Sequence, residues 1–321
     1  MIIITGAAGF IGSCLITKLN NEGYIDLVLV DDFSKIEKEN NWKNKKFSQK
    51  IDRNDFIEWA LANANQIEFI FHIGARTDTA EFNYDVLYKL NVEFTQALWH
   101  LCVKEGLPLV YASSAATYGL GEHGFDDNEA DISKLNPLNP YVKIKNDFDI
   151  WALAQERKPY FWAGLKFFNV YGPNEYHKGR MASVIMHAAR QIKANSVLKL
   201  FKSHKEEYED GGQQRDFVYV KDVVNVLYFW LHHRIDSGIY NLGSGTVRTF
   251  NDLGNAVFKS MNIPAAITYI DTPEDIRDKY QYYTKAEMKK LLNIGYNIPF
   301  HSLEEGVEDY VKNYLLEEKI W

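Results

Sequence analysis

Short apolar segments alternate with amphipathic segments through the first half of the chain. The apolar segments are rich in β-branched and aromatic residues, which favours strands at 2–4, 26–30, 68–73, 108–114 and 160–170. The amphipathic segments carry apolar residues at helical spacing, which predicts helices at 11–20, 55–64, 87–105 and 141–155. Because alternating strands and helices form parallel sheets with right-handed crossovers, we predict an α/β fold with a doubly wound parallel sheet.

The pattern becomes less regular after residue 170. It predicts a helix at 181–193, an exposed polar excursion at 204–214, and short strands at 216–220, 238–242 and 266–270. This change divides the chain into a larger domain at 1–170, to which 216–243 returns, and a smaller C-terminal α/β domain. We assign 171–215 and 244–321 to the smaller domain.

Charge and cysteine content exclude several classes of protein. The formal net charge of −7 argues against a dedicated nucleic-acid surface. The two cysteines, Cys14 and Cys102, and the histidines have no metal-ligand spacing, so we predict neither a disulfide nor a metal site. Residues 1–5 resemble a buried strand rather than a signal peptide, and no segment approaches the ~20 apolar residues of a membrane span. We expect a cytoplasmic protein without nucleic-acid or membrane partners.

A glycine-rich turn follows the first predicted strand directly and opens the first helix. It contains Gly6, Gly9, Phe10, Ile11 and Gly12. Glycines allow a tight turn and close backbone approach, and the helix N-terminus offers N–H groups to a pyrophosphate. The strand–turn–helix context predicts a Rossmann-type domain that binds a nicotinamide dinucleotide at this turn.

Residues after the second strand bear on the choice between NAD and NADP. Asp31 and Asp32 end this strand, where a carboxylate accepts from the adenosine ribose hydroxyls and favours NAD. Lys38 and Arg53 are placed to reach an added 2′-phosphate, which favours NADP. We predict NADP, with NAD as the alternative. The predicted cofactor-binding set is completed by Gly74, Ala75, Asn91, Lys145 and Lys178.

A serine, a tyrosine and a lysine form a candidate catalytic set. Ser114 ends the fourth strand, and Tyr141 and Lys145 lie four residues apart on one face of the next helix. Hydride transfer at an alcohol needs a group that exchanges the hydroxyl proton, and a free tyrosine with a pKa of about 10 is a weak base. We expect the lysine ammonium and a positively charged nicotinamide to lower the pKa of the Tyr141 phenol.

Taken together, these motifs resemble the extended short-chain dehydrogenase/reductase superfamily. Further segments are similar to the ADP-glyceromanno-heptose 6-epimerase family within it, and the similarity spans essentially the whole chain. These segments lie at 111–119 (YASSAATYG), 168–173 (FNVYGP), 177–179 (HKG), 181–184 (MASV), 215–220 (RDFVYV), 240–243 (YNLG), 280–281, 295–296 and 305–307. The HKG and MASV segments discriminate best, because the other motifs are more widely shared.

The resemblance implies inversion at C6 of an ADP-activated heptose through a 6-keto intermediate, which would supply heptose for the lipopolysaccharide core. Tyr141 would move the hydroxyl proton, and Lys178 would be either a second acid/base or an anchor for the substrate. The resemblance further implies a homo-oligomer and an ADP-sugar site. The predicted substrate-binding residues are Asn169, Arg180, His187, Phe201, Arg215 and Tyr280.

Several residues depart from the pattern of that family. Ile144 replaces a usual serine, Lys166 replaces a usual arginine, and Arg180 replaces a usual small residue. The polar stretch at 205–212 is longer than expected, and with Arg180 it bears on substrate choice.

Three other functions are weighed against this one. A nucleotide-sugar 4,6-dehydratase would need an acid and a base at the strand-four loop, where Ala115 and Ala116 stand. A UDP-hexose 4-epimerase needs no extra residues, and only the region of Lys178 argues against it. A non-catalytic nicotinamide-binding regulator would have no need of the set Ser114, Tyr141 and Lys145.

Overall fold

Parallel strands form the centre of the molecule. The structure is a computed structural model that describes residues 1–75, 88–277 and 280–321. Its strands are β1 (Ile2–Thr5), β2 (Leu27–Asp31), β3 (Gln49–Asp52), β4 (Phe69–His72), β5 (Leu109–Ser114), β6 (Trp162–Phe167), β7 (Asn169–Tyr171), β8 (Leu198–Phe201), β9 (Gln214–Tyr219), β10 (Gly238–Leu242), β11 (Val247–Thr249) and β12 (Ile267–Ile270). In the described residues, seven strands form a parallel sheet in the order β10-β6-β5-β4-β1-β2-β3.

Helices follow most of these strands. They are α1 (Phe10–Asn21), α2 (Phe56–Asn63), α3 (Phe94–Glu105), α4 (Pro140–Ala154), α5 (Val184–Asn195), α6 (Val220–His232), α7 (Phe250–Ser260), α8 (Glu274–Arg277), α9 (Lys289–Asn293) and α10 (Leu303–Tyr310). Local sequence sets several helix starts. Asn139 caps α4 by accepting from the N–H of Val142, and Pro140 occupies the first turn, where its missing N–H costs nothing.

The two faces of the large sheet bury separate apolar clusters. Along β1, Ile2 and Ile4 join the cluster covered by α1 and α6, whereas Ile3 joins the cluster covered by α2, α3 and α4. Successive strand residues point to opposite faces, so a strand buried on both sides is apolar throughout. Helices on both faces of a parallel sheet confirm the predicted doubly wound α/β class.

Smaller sheets lie beside the large one. Strands β7, β9 and β11 form a three-stranded sheet, and β8 pairs in parallel with β12. Helix α7 packs against α5 and α10 in this part of the molecule. Strand β10 pairs with β6 in the large sheet and α6 packs on α1, whereas β9 lies between β7 and β11 in the three-stranded sheet. Within 216–243, α6 and β10 therefore belong with the larger sheet, whereas the residues of β9 belong to the three-stranded sheet.

Some element boundaries differ from the sequence predictions. The strand predicted at 160–170 divides into β6 and β7, which belong to different sheets. The helix predicted from residue 181 begins at Val184, because the Ser183 side chain accepts from the N–H of Met186 and caps α5 there. Strands β3, β8 and β11 were not predicted; they are short and only partly buried. The predicted start of the helix at 87–105 lies outside the described residues.

Two further features concern the described residues as a whole. Cys14 and Cys102 are buried free thiols. In the three described ranges, no helix is long and apolar enough to span a bilayer.

A buried histidine ties β1, β4 and α3 together. His72 Nδ1 lies 2.6 Å from Thr5 Oγ1, and His72 Nε2 lies 2.9 Å from Thr95 Oγ1. The Thr95 hydroxyl donates its own proton to the Asn91 carbonyl, so it accepts from Nε2–H, and Thr5 donates to Nδ1. Burial, with a smaller effect of the positive Lys145, lowers the pKa of His72 to about 3. The neutral form is therefore the one that the fold holds.

This pKa predicts a loss of stability at mildly acidic pH. Below the ordinary histidine pKa of about 6.5, the unfolded chain binds a proton that folded His72 refuses, so stability falls as pH falls. Between pH 6.5 and pH 5, His72 alone should lower the free energy of unfolding by about 1.7 kcal/mol. Denaturant unfolding across this range should show a smaller decrease for His72→Gln. The exposed His123→Gln is the control, and equal pH slopes for all three proteins would contradict the prediction.

Candidate active site

A large cleft opens at the carboxyl ends of the parallel strands, where ligands bind in open α/β sheets. It has a volume of about 1260 Å³ and is lined by residues from β1, β2, β4, β5, β6 and the loops that follow them. A pocket for one drug-sized ligand has roughly 300–1,000 Å³. The cleft therefore has room for a dinucleotide together with a second ligand.

The glycine turn has a backbone that side chains would disrupt. Gly6 has φ +68°, and a Cβ on it would lie 2.5 Å from the Cα of Gly74. A Cβ on Gly12 would collide with the carbonyl oxygen of Gly6. Gly9 precedes α1, and Phe10, Ile11 and Gly12 line the cleft from its first turn. The turn thus presents the N-terminus of α1 to the cleft, as a pyrophosphate requires, so these residues fit a dinucleotide.

Asp31 is tied to the glycine turn. Its Oδ2 accepts from the N–H of Ala8 at 2.9 Å, and its Oδ1 accepts from the N–H of Asp32 at 2.8 Å. Lys38 Nζ lies 3.5 Å from Asp31 Oδ1. Besides lining the cleft, this carboxylate therefore holds the turn in place from the neighbouring strand β2.

Arg53 lies beside Asp32 at the same end of the cleft. One terminal nitrogen of its guanidinium is 3.6 Å from Asp32 Oδ2, and the hydrogen bonds that Ser34 donates lower the pKa of Asp32. Among the described residues, the buried Nε of Arg53 has no hydrogen-bond partner. Arg53 lines the cleft, and the exposed part of its guanidinium can donate hydrogen bonds to an anionic oxygen of a ligand.

Ser114, Tyr141 and Lys145 converge on one wall of the cleft. Ser114 ends β5, and its Oγ accepts from the N–H of Ala116 at 3.2 Å. Lys145 Nζ donates to the carbonyl oxygen of Ala112 at 2.8 Å, which fixes α4 against the end of β5. Tyr141 lies one helical turn before Lys145. The structure therefore brings together the catalytic set that the sequence predicts.

Burial shifts the pKa values of Lys145 and Tyr141 in this set. Burial lowers the pKa of Lys145 to about 8, with the Asp149 carboxylate opposing the decrease. Burial raises the pKa of Tyr141 to about 12. The expected decrease for the Tyr141 phenol is thus not produced by Lys145, whose ammonium donates to a backbone carbonyl. Tyr141 therefore holds its proton at neutral pH unless a further positive charge approaches it.

Lys178 faces the cleft from a short helical turn, Tyr176–Met181. Its Nζ lies 5.3 Å from the centre of the Phe10 ring, on the side of the glycine turn. Burial lowers the pKa of Lys178, and the negative Glu175 opposes this decrease. Glu175 was not among the residues predicted from the sequence. Its buried carboxylate accepts hydrogen bonds from both the N–H and the hydroxyl of Ser183, at 2.6 Å each.

The predicted substrate residues divide into two groups. Asn169 and Arg180 line the cleft, whereas His187 is outside the lining, with its Nε2 3.3 Å from the Arg180 carbonyl oxygen. The other three form a cluster outside the cleft lining: Phe201, Arg215 and Tyr280.

This cluster reaches the cleft through one aromatic side chain. The Arg215 guanidinium lies 5.4 Å from the Tyr280 ring centre and 5.7 Å from that of Phe250, which lines the cleft. Phe250 was not predicted. Of the predicted cofactor-binding residues, Ala75 lines the cleft, whereas Asn91 is buried and is not part of the lining.

Comparison with known proteins agrees with this geometry. Residues 2–243 match the model of the NAD dependent epimerase/dehydratase family. The chain is 47% identical to ADP-L-glycero-D-manno-heptose-6-epimerase of Fusobacterium nucleatum, with 99% of both chains covered. It is 45% identical to the Nitratidesulfovibrio vulgaris protein of the same name, with 98% of both covered.

A solved structure is also similar. The Helicobacter pylori ADP-L-glycero-D-manno-heptose-6-epimerase superposes with a TM-score of 0.79 at 27% identity, covering 97% of this chain and 95% of that one. The resemblance predicted from the motifs is thereby confirmed. The chain belongs to the NAD dependent epimerase/dehydratase family and, within it, to the ADP-L-glycero-D-manno-heptose-6-epimerases.

Proposed function

We propose that the protein inverts C6 of an ADP-activated heptose by oxidation to a 6-ketone and reduction from the opposite face. The observation that carries this proposal is the meeting of Ser114, Tyr141 and Lys145 in a cleft that also contains the glycine turn. A nicotinamide dinucleotide held at the glycine turn would supply the reversible hydride chemistry, and the side chains of the cleft bind the sugar, orient it and move protons.

Tyr141 is the proposed proton carrier at the C6 oxygen. Its phenolate would take the proton of the sugar alcohol on oxidation, becoming the phenol, and the phenol would return that proton on reduction, while the Ser114 hydroxyl donates to the same oxygen. The phenol, with a pKa of about 12, needs nearby positive charge to reach the phenolate. The Lys145 ammonium, held by the Ala112 carbonyl, does not supply enough of this charge by itself, so an oxidised nicotinamide in the cleft would have to supply the rest.

The turn before α4 argues against elimination of water. Ala115 and Ala116 stand in a short helical turn, Ala115–Tyr118, directly after β5. Neither side chain can serve as the acid or base that a 4,6-dehydratase needs.

A 4-epimerase would use the same three catalytic residues, so incubation with ADP-heptose and UDP-hexoses, with NMR analysis of the products, tests the assignment. Inversion of a UDP-hexose at C4 without conversion of ADP-heptose would overturn it.

The proposed cofactor is NADP. Lys38 and Arg53 carry positive charge to the end of the cleft beside Asp31 and Asp32. The partly exposed Arg53 guanidinium can donate charge-assisted hydrogen bonds to a phosphate oxygen.

Replacing Arg53 should narrow the preference for NADP over NAD. Loss of charge-assisted hydrogen bonds in Arg53→Ala should reduce the preference by about 1.5–3 kcal/mol. Arg53→Lys, which keeps the charge without the guanidinium fork, should fall between the two. Isothermal titration with both cofactors measures this difference. Tighter binding of NAD than NADP by the wild type would show the cofactor assignment to be wrong.

Tyr141→Phe should retain the fold and cofactor binding but lose most turnover. The substitution removes the hydroxyl and little volume, and a general acid–base group contributes about 10²–10⁴-fold to the rate. Steady-state kinetics with purified substrate measures the loss, and circular dichroism and cofactor titration provide the controls. Turnover within tenfold of the wild type would remove Tyr141 from the proposed chemistry.

Lys178 is proposed as the second acid/base, since an epimerase delivers hydride to both faces of its ketone. Lys178→Met should abolish conversion in both directions and leave nucleotide-sugar binding within a few-fold. Lys178→Arg is the matched control, because it keeps a positive anchor but cannot give up its proton. Recovery of turnover by the arginine variant, together with weak binding by the methionine variant, would make Lys178 an anchor and leave Tyr141 as the only proton carrier.

A further inference from the structure

A third ionisable residue continues the helix face that carries the catalytic pair. Tyr141, Lys145 and Asp149 are spaced by four residues along α4, so their side chains share one face. Asp149 is 0% exposed. Its Oδ1 accepts from the Tyr111 hydroxyl at 3.0 Å, and its Oδ2 accepts from the Ser113 hydroxyl at 2.6 Å. The carboxylate therefore contacts β5 directly before Ser114.

Asp149 also forms an ion pair that is completely buried. Lys166 Nζ lies 3.0 Å from Asp149 Oδ2, and both side chains are 0% exposed. Lys166 donates in addition to the Thr117 hydroxyl at 2.6 Å, in the turn that follows Ser114. Apolar residues of similar volume often replace buried ion pairs without loss of stability, so burial of this pair is not explained by folding alone.

Asp149, one member of this pair, also affects the charge of Lys145. Burial favours the neutral amine of Lys145, and the nearby Asp149 carboxylate favours the ammonium. Among the described residues, His72 of β4 also interacts with Lys145 and remains neutral at working pH. In the described part of the chain, Tyr111 of β5 and Lys166 of β6 contact Asp149, and Asp149 acts on Tyr118 in the following turn; Tyr141, Lys89 and Glu93 line the cleft together with Lys145. Asp149 is the residue of this set that opposes the effect of burial on Lys145.

We propose that Asp149 is a positioning residue of the catalytic pair. Its carboxylate keeps the Lys145 ammonium charged and holds Ser113 at the end of β5, while Lys166 and Tyr111 hold the carboxylate. The inference rests on the proposed function only for the role of Lys145 in turnover. The electrostatic link between Asp149 and Lys145 is independent of it.

Two variants test the link. Asp149→Asn keeps the size and the acceptor for Ser113 but removes the negative charge. Because this variant leaves Lys166 buried without a counter-ion, Asp149→Asn/Lys166→Met removes both charges and guards against failure to fold. The titration of Lys145 is followed by NMR in protein labelled with ¹³C-lysine, with Lys145→Arg to assign its signal. The pH dependence of kcat is measured in parallel.

We expect the Lys145 pKa to fall by about one pH unit in Asp149→Asn, and in the same direction but less in the double variant. In both variants, kcat should begin to decrease at a correspondingly lower pH than in the wild type. Tyr111→Phe removes one hydrogen bond from Asp149 but not its charge, so the Lys145 pKa should stay near the wild-type value. Asp309→Asn breaks a remote contact with Tyr219 and Lys221 and controls for loss of stability alone.

An unchanged Lys145 titration in both the single and the double variant would overturn the inference, whatever their stability. A decrease in the Lys145 pKa without any change in the pH dependence of kcat would have a different meaning. It would support the link between Asp149 and Lys145 and count against the proposed role of Lys145 in turnover.

Discussion

The contact between α4 and the end of β5 is the constraint on which the catalytic wall depends. Lys145 Nζ donates to the Ala112 carbonyl, so the position of the ammonium is set by a strand inside the sheet. Phe148 and Ala152 pack further along α4 into the core that also contains Tyr111. A shift of the helix would therefore move Tyr141 and disturb both the core and the charge network beneath it.

The cofactor end depends on a second close contact, between the backbones after β1 and β4. Gly6 and Gly74 approach so closely that neither has room for a side chain. Thr5 lies at the same junction, where its hydroxyl accepts from the N–H of Gly74 and bonds to His72. Asp31 then holds the turn from β2. Three adjacent strands thus set the shape of a loop that has few side chains of its own.

Four cationic side chains of the cleft each lie near a carboxylate or are affected by one: Lys38, Arg53, Lys145 and Lys178. Asp31 and Asp32 lie beside Lys38 and Arg53, Glu175 acts on Lys178, and Asp149 acts on Lys145. Burial disfavours the charged form of a lysine, and a nearby carboxylate restores it. This arrangement keeps Lys145 and Lys178 positively charged although both are largely buried.

The sequence determined the features that depend on local spacing. The glycine turn, the Tyr141–Lys145 pair and the alternation that predicts a doubly wound sheet are all readable within one or two elements, because turn geometry and helical periodicity are local. The spacing of Asp149 from Lys145 could also be seen in the sequence, but the contacts of Asp149 could not be predicted from it. Its partners Ser113 and Lys166 come from two other strands.

Only the tertiary structure decided how distant segments share charge and space. It placed Arg215 against Tyr280 and Phe250 rather than in the cleft lining, and it put Asn91 behind the wall. It also raised the Tyr141 pKa, because burial depends on everything packed around a side chain. Periodicity along a chain gives the face on which a residue lies, whereas desolvation and pairing depend on which other faces are packed against it.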